Sequence, residues 1–262
     1  GTGAVNVTAG AGNITDATAG EGAGNENIAT GTAVLSAVTG AIGDNTAAGD
    51  IDTAVTTLRA SATGGTNGIF ITETDGLAVG NATSGLSAAG DLVVTAAGSV
   101  TTGNAITFGG NATVTATGAA SDVTISNTIT GTGAMINTLT IRADNSILFN
   151  SSADVNTTNA LNVVLNSDFS DGNSAGAISL GSGTVITSAG GNITLGGGAD
   201  PTTTAAVGTA ANIIGIQLTG AQLQSGAGNI SLRGTGFLTG AGNRGINIAD
   251  DNGVASSIVQ ST

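Results

Sequence analysis

Short alternating runs closed by Gly, Asn or Asp recur along this chain, and nothing else in it constrains the fold as strongly. Asp91-Leu-Val-Val-Thr95, Asn104-Ala-Ile-Thr-Phe108, Asn111-Ala-Thr-Val-Thr115 and Asp122-Val-Thr-Ile-Ser126 follow one another closely. Asn137-Thr-Leu-Thr-Ile141, Ala160-Leu-Asn-Val-Val-Leu165, Ala177-Ile-Ser-Leu180 and Asn192-Ile-Thr-Leu195 continue the series. Period-two alternation of β-branched and apolar residues is the signature of a strand with one buried face. The intervening Gly, Asn and Asp suit tight turns and positive-φ positions. Strands this short are not stable as an isolated meander. They become stable when stacked, each side chain resting on its counterpart one turn above.

Internal repeats agree with such stacking. Gly191-Asn-Ile-Thr-Leu195 returns as Gly228-Asn-Ile-Ser-Leu232, a displacement of 228 − 191 = 37. Ile214-Gly-Ile-Gln-Leu218 returns as Arg244-Gly-Ile-Asn-Ile248, displaced by 244 − 214 = 30, and Leu223-Gln-Ser225 as Val259-Gln-Ser261, displaced by 259 − 223 = 36. Elsewhere the step is shorter: Asp91 to Asn111 is 111 − 91 = 20 residues. The unequal steps place a length change in the loop between the first and second strands of a coil. The expected fold is therefore all-β, a right-handed parallel β-helix with three short strands per coil. Alternation directs Leu92/Val94, Ile106/Phe108, Val123/Ile125, Leu139/Ile141, Leu161/Val163/Leu165, Ile178/Leu180, Ile193/Leu195 and Ile230/Leu232 inward. Corner Asn residues are expected to form hydrogen-bonded ladders. Two stretches, Ala29 to Val38 and Thr53 to Ala60, have some helical spacing, but their β-branched content favours strand. Residues 1–262 read as a single β-helix. Residues 1–30 fit the pattern least, with Gly20 to Asn25 as a loop or part of an incomplete coil. The sole proline, Pro201, sits in another loop.

Composition narrows the function. The chain has no His or Cys, which excludes imidazole and thiol catalysis and thiolate metal sites but leaves carboxylate chemistry open. Lys+Arg total 4, all arginines, against 17 acids, for a net charge of −13. Such a chain repels phosphate backbones, so nucleic acid is not an expected partner. No apolar run is long enough for a membrane span. Gly1-Thr2-Gly3-Ala4 resembles no signal peptide, and the sequence reads as an interior or processed piece of a longer chain.

The Gly-Asn-Ile-x-Leu units, Arg244-Gly-Ile-Asn-Ile248 and Ser257-Ile-Val-Gln-Ser-Thr262 resemble the repeats of filamentous-haemagglutinin-like proteins. So do Asp52-Thr-Ala-Val-Thr-Thr-Leu58 with Gly68-Ile-Phe-Ile-Thr-Glu73, and Asn166-Ser-Asp-Phe-Ser-Asp-Gly-Asn173 ahead of Gly176-Ala-Ile-Ser-Leu180. These are giant bacterial surface adhesins, often exported by two-partner secretion. The resemblance spans most of residues 40–262, and the family's secretion domain is not among the matched residues. It implies an extracellular, cell-surface or matrix location and a structural shaft, a filament or adhesin stalk that continues or stacks end to end. The alternative is a module that binds a glycan or receptor through exposed loops displaying Phe169 or Phe237. Copies of the chain or further coils are the expected partners, with glycans or other surface components next.

No catalytic constellation emerges. The acids are mostly single, and no Trp or Tyr offers a platform for a sugar ring, so an enzyme is not expected. The densest acidic stretch, Asp168-Phe-Ser-Asp171-Gly-Asn173, offers oxygen ligands around a turn, as Ca²⁺ requires. It lacks the spacing of an EF-hand loop, and a polar turn is the plainer reading. Asp168, Asp171 and Asn173 are thus the candidate Ca²⁺ ligands of a chain expected to need no cofactor.

Overall fold

The computed structural model describes residues 3–16, 24–46, 48–170, 175–238 and 242–261. Among them there are strands and no helix, and all but two of the strands belong to one continuous sheet. Every strand in that sheet pairs with the strand three positions away, or its equivalent, in parallel. That is a coil of three strands, repeated. The expected parallel β-helix is the fold observed. An isolated antiparallel bridge, Gly176 to Val207, lies outside the strands.

The three faces can be followed by register. The first face stacks Ile69–Glu73, Leu92–Ala96, Ala112–Ala116, Asn137–Ala143, Leu161–Ser167, Ile193–Gly197 and Ile230–Leu232. The second runs from Leu77–Val79 through Ile147–Phe149 to Ile246–Ala249. The third runs from Leu86–Ala88 through Ile129–Gly131 to Ile258–Ser261. At the N-terminal side the corners soften. Ile51–Ala62 is one unbroken strand that pairs with all three faces of the coil above it. Ile28–Ala37 and Ala4–Ala9 stack beneath it. Both stretches with helical spacing are therefore strand.

Inside, apolar residues mostly lie on apolar residues. One inward row is Ile14, Ile42, Ile69, Leu92, Ala112, Leu139, Val163, Ile193 and Ile230. The core is continuous along the axis and almost fully buried. The inward assignments made from alternation hold throughout, with Ile230 and Leu232 only half-buried in the last coil. Bulk is balanced between coils: Phe108 is paired above by Gly131 and below by Ala88, which leaves room for the ring.

The repeat displacements are the observed registers. Ile193 pairs with Ile230, Ile216 with Ile246, and Leu223 with Val259. The loop between first and second strands shortens between these two coils, as read from sequence. The loop between second and third strands lengthens as well, which restores the step on the third face.

Packing explains the Ser-x-x-Gly-Asn motif that precedes the first-face strand. Ser188 Oγ donates to Gly191 O (2.5 Å) and Ser225 Oγ to Gly228 O (2.6 Å), closing the same turn in successive coils. A Cβ on Gly228 would collide with the carbonyl oxygen of Gly191 in the coil below. The following Asn makes the expected ladder. Asp91 Oδ1 accepts the Asn111 N–H, Asn111 Oδ1 that of Thr138, Asn162 Oδ1 that of Asn192, and Asn192 Oδ1 that of Asn229. A second ladder runs from Ser99 through Asp122 and Ser146 to Ala177. These side chains occupy backbone N–H groups at corners where the sheet bonds are interrupted.

Candidate interaction surfaces

The outer rows of this solid are what a partner would meet. On the first face, Thr72, Thr95, Thr115, Arg142 and Asn166 form one outward row, of which Thr115 and Asn166 are covered by neighbouring chain and buried. On the third face, Ser61, Ser87, Thr107, Thr130 and Asn156 form another. Apolar side chains, among them Phe70, Val93, Leu148, Val164 and Val185, interrupt these faces. The most exposed large apolar side chains, Met135, Ile136, Leu238 and Val254, all lie outside the strands.

The acidic candidates are only partly placed. Asp168 is buried, 3% exposed, with φ +50°. Its N–H donates to Asn145 O (3.3 Å), in the coil below. Asp171 and Asn173 lie outside the described residues. Among the described residues no group of three or more His, Cys, Asp or Glu is placed to hold a metal ion. Nearby, Asp144 Oδ2 accepts the Gly118 N–H (2.6 Å), and its Oδ1 is buried without a hydrogen-bond partner. Phe169 and Phe237 are half-buried rather than displayed.

Glu73 is the carboxyl most altered by its surroundings. It points inward, 1% exposed, in a row formed otherwise by Ile28, Thr53, Ala96, Ala116, Ala143, Ser167 and Gly197. Burial raises its pKa to about 7, against smaller opposing effects of hydrogen bonds from Thr53 and Val55. Its position follows from register. Thr53 pairs with Glu73 and Thr57 with Ala78, so the upper strand carries one more residue than the lower between these pairs. The Val55 N–H there is accepted by both Glu73 oxygens, at 3.1 Å each. A side chain thus replaces a backbone acceptor where a smooth coil gives way to a cornered one. Enclosed in this way, Glu73 serves the fold.

Arg59 is the other charged group in an unusual setting. It leaves the long Ile51–Ala62 strand opposite the corner loop Gly80 to Gly85 of the next coil. Gly80 N–H donates to Leu58 O (2.7 Å) and Ala60 N–H to Gly85 O (3.3 Å), which pins that loop above Arg59. Arg59 Nε donates to Ser84 Oγ (2.6 Å). The side chain lines an open groove of about 440 Å³ beside the third-face hydroxyl row.

No family model, curated protein or solved structure matches this chain. Architecture and surface chemistry therefore carry the functional reading. Register alone reveals the Arg59 groove, because it depends on which loop is stacked over which strand. Glu73 was open to detection from alternation, since Ile69, Ile71 and Glu73 share one parity.

Proposed function

We propose that this chain is a segment of a structural shaft, a secreted filament or adhesin stalk at the surface or in the matrix of a bacterium. A parallel β-solenoid is compatible with that role. The observation that carries the reading is the unbroken stack of three-strand coils around one continuous apolar core. Along the body the inward rows are sealed, but Val5 at one end is 37% exposed, and Ile246, Ile248 and Val259 at the other are 38–47% exposed. These residues occupy inward rows: Val5 lies under Ala33, Ile248 over Leu218 and Val259 over Leu223. Among the described residues, no element covers them. A second copy stacked on such an end would pair the open strand edges and bury the apolar cross-section. Copies stacked head to tail do not close, and so form a filament.

The binding alternative, through loops displaying Phe169 or Phe237, has less support because both rings are half-buried. Electron cryomicroscopy of the intact assembly tests the shaft reading. It predicts that both terminal coils are continued by parallel strands at about 4.8 Å. Terminal coils sealed by a cap, on a chain that stays monomeric, would contradict it.

A further inference from the structure

The groove at Arg59 has the makings of a ligand site that the shaft reading does not require. The chain carries 17 acids and four arginines, yet no residue lining this groove is acidic. Arg59 is half-buried, and its Nε is fixed by Ser84. Its terminal nitrogens have no partner among the described residues. A held guanidinium with its fork free is set for two-pronged recognition of a carboxylate. The loop overhead is itself tied down, since Asn104 Nδ2 donates to Asn81 O (2.7 Å) and Asn81 N–H to Ser84 O (3.0 Å).

The groove's second wall is a column of hydroxyls. Ser36, Ser61, Ser87 and Thr107 occupy one outward row in four successive coils. Coil spacing sets them about 4.8 Å apart. None of the four hydroxyls is engaged by another described residue. A ligand with one carboxylate and several neighbouring hydroxyls complements this arrangement. We infer that the groove binds an acidic saccharide, with a uronate carboxylate on Arg59 and the sugar hydroxyls along the Ser36–Thr107 column. Without an aromatic platform, affinity comes from polar contacts at this one groove.

Titration calorimetry with a uronic-acid disaccharide tests this, with its methyl ester, acetate and sulfate as comparison ligands. The expected result is saturable binding of the free acid, with the ester and acetate each at least about tenfold weaker. Arg59→Gln should weaken binding by about tenfold or more, Arg59→Lys should restore part of it, and Arg233→Gln, on a different loop, should leave it unchanged. Amide shifts in the wild-type protein should map to Ser61, Ser87 and Thr107, which keeps the test valid if a variant folds poorly. The inference is overturned if acid and ester bind alike. It is equally overturned if acetate or sulfate matches the disaccharide, if the shifts map elsewhere, or if no saturable binding occurs.

Discussion

Replacing Glu73 by Gln should alter the pH dependence of stability in a direction opposite to that of most carboxylates. Thr53 Oγ1 lies 2.7 Å from Glu73 Oε2 and 3.2 Å from Thr72 O, with only one proton to donate. When Glu73 is protonated, its O–H donates to Thr53, and Thr53 donates to Thr72 O. When Glu73 is ionised, Thr53 turns to the carboxylate and its own bond to the Thr72 carbonyl is given up. Asp75 opposes ionisation as well. Glu26 and Asp50 are also acidic and belong to adjoining segments of the lower coils, so no charge of opposite sign comes from that side. The folded pKa of about 7 lies above the ordinary 4.5. The stabilising contribution is therefore complete below pH 4.5 and is lost as pH rises through 7. A displacement of that size corresponds to about 3 kcal/mol. Gln keeps an acceptor for Val55 N–H and a donor for Thr53, and does not titrate. In urea unfolding, wild type and Glu73→Gln should be close at pH 4, and the variant should be more stable by about 3 kcal/mol at pH 8.5. The same stability difference at both pH values would refute the reasoning.

Other outcomes follow from packing. Phe108→Ala, in a fully buried row, should cost about 3–5 kcal/mol, read by denaturant unfolding. Gly228→Ala forces a Cβ against the Gly191 carbonyl and should lower Tm, whereas Gly242→Ala, with open space but φ +86°, should lower it less. Ser225→Ala removes the donor that closes the turn at Gly228 and should cost about 1–2 kcal/mol. Chelator should leave the melting temperature unchanged, and a fall of many degrees would establish a structural metal.

Much of the fold is legible in the sequence because the β-helix repeats one physical problem. Period-two alternation sets which side chains go inward, and turn residues mark the corners. The Gly-Asn-Ile-x-Leu repeat carries its own reasons: the glycine avoids a carbonyl below, and the asparagine accepts an N–H from above. What alternation does not convey is the vertical neighbour. Irregular steps of 20 to 37 residues between ladder partners hide which loop overlies which strand. That is why Arg59 stood out only as one of four arginines, and why the need for Glu73 at an uneven corner was not visible. The Asp168 stretch shows the converse. Its composition suggested a turn with exposed oxygens, but stacking buries Asp168 in the corner column above Asn145.

Sedimentation velocity across a wide concentration range, on wild type and on the paired variant Ile248→Asp/Val259→Asp, tests the shaft most directly. Both substitutions place charge on inward rows that the last coil leaves open, without touching the sealed body. The account predicts that wild type forms elongated species growing with concentration and that the variant remains a compact-ended monomer with unchanged circular dichroism. A wild type that stays monomeric throughout, or a variant that assembles equally well, would contradict end-to-end stacking of copies.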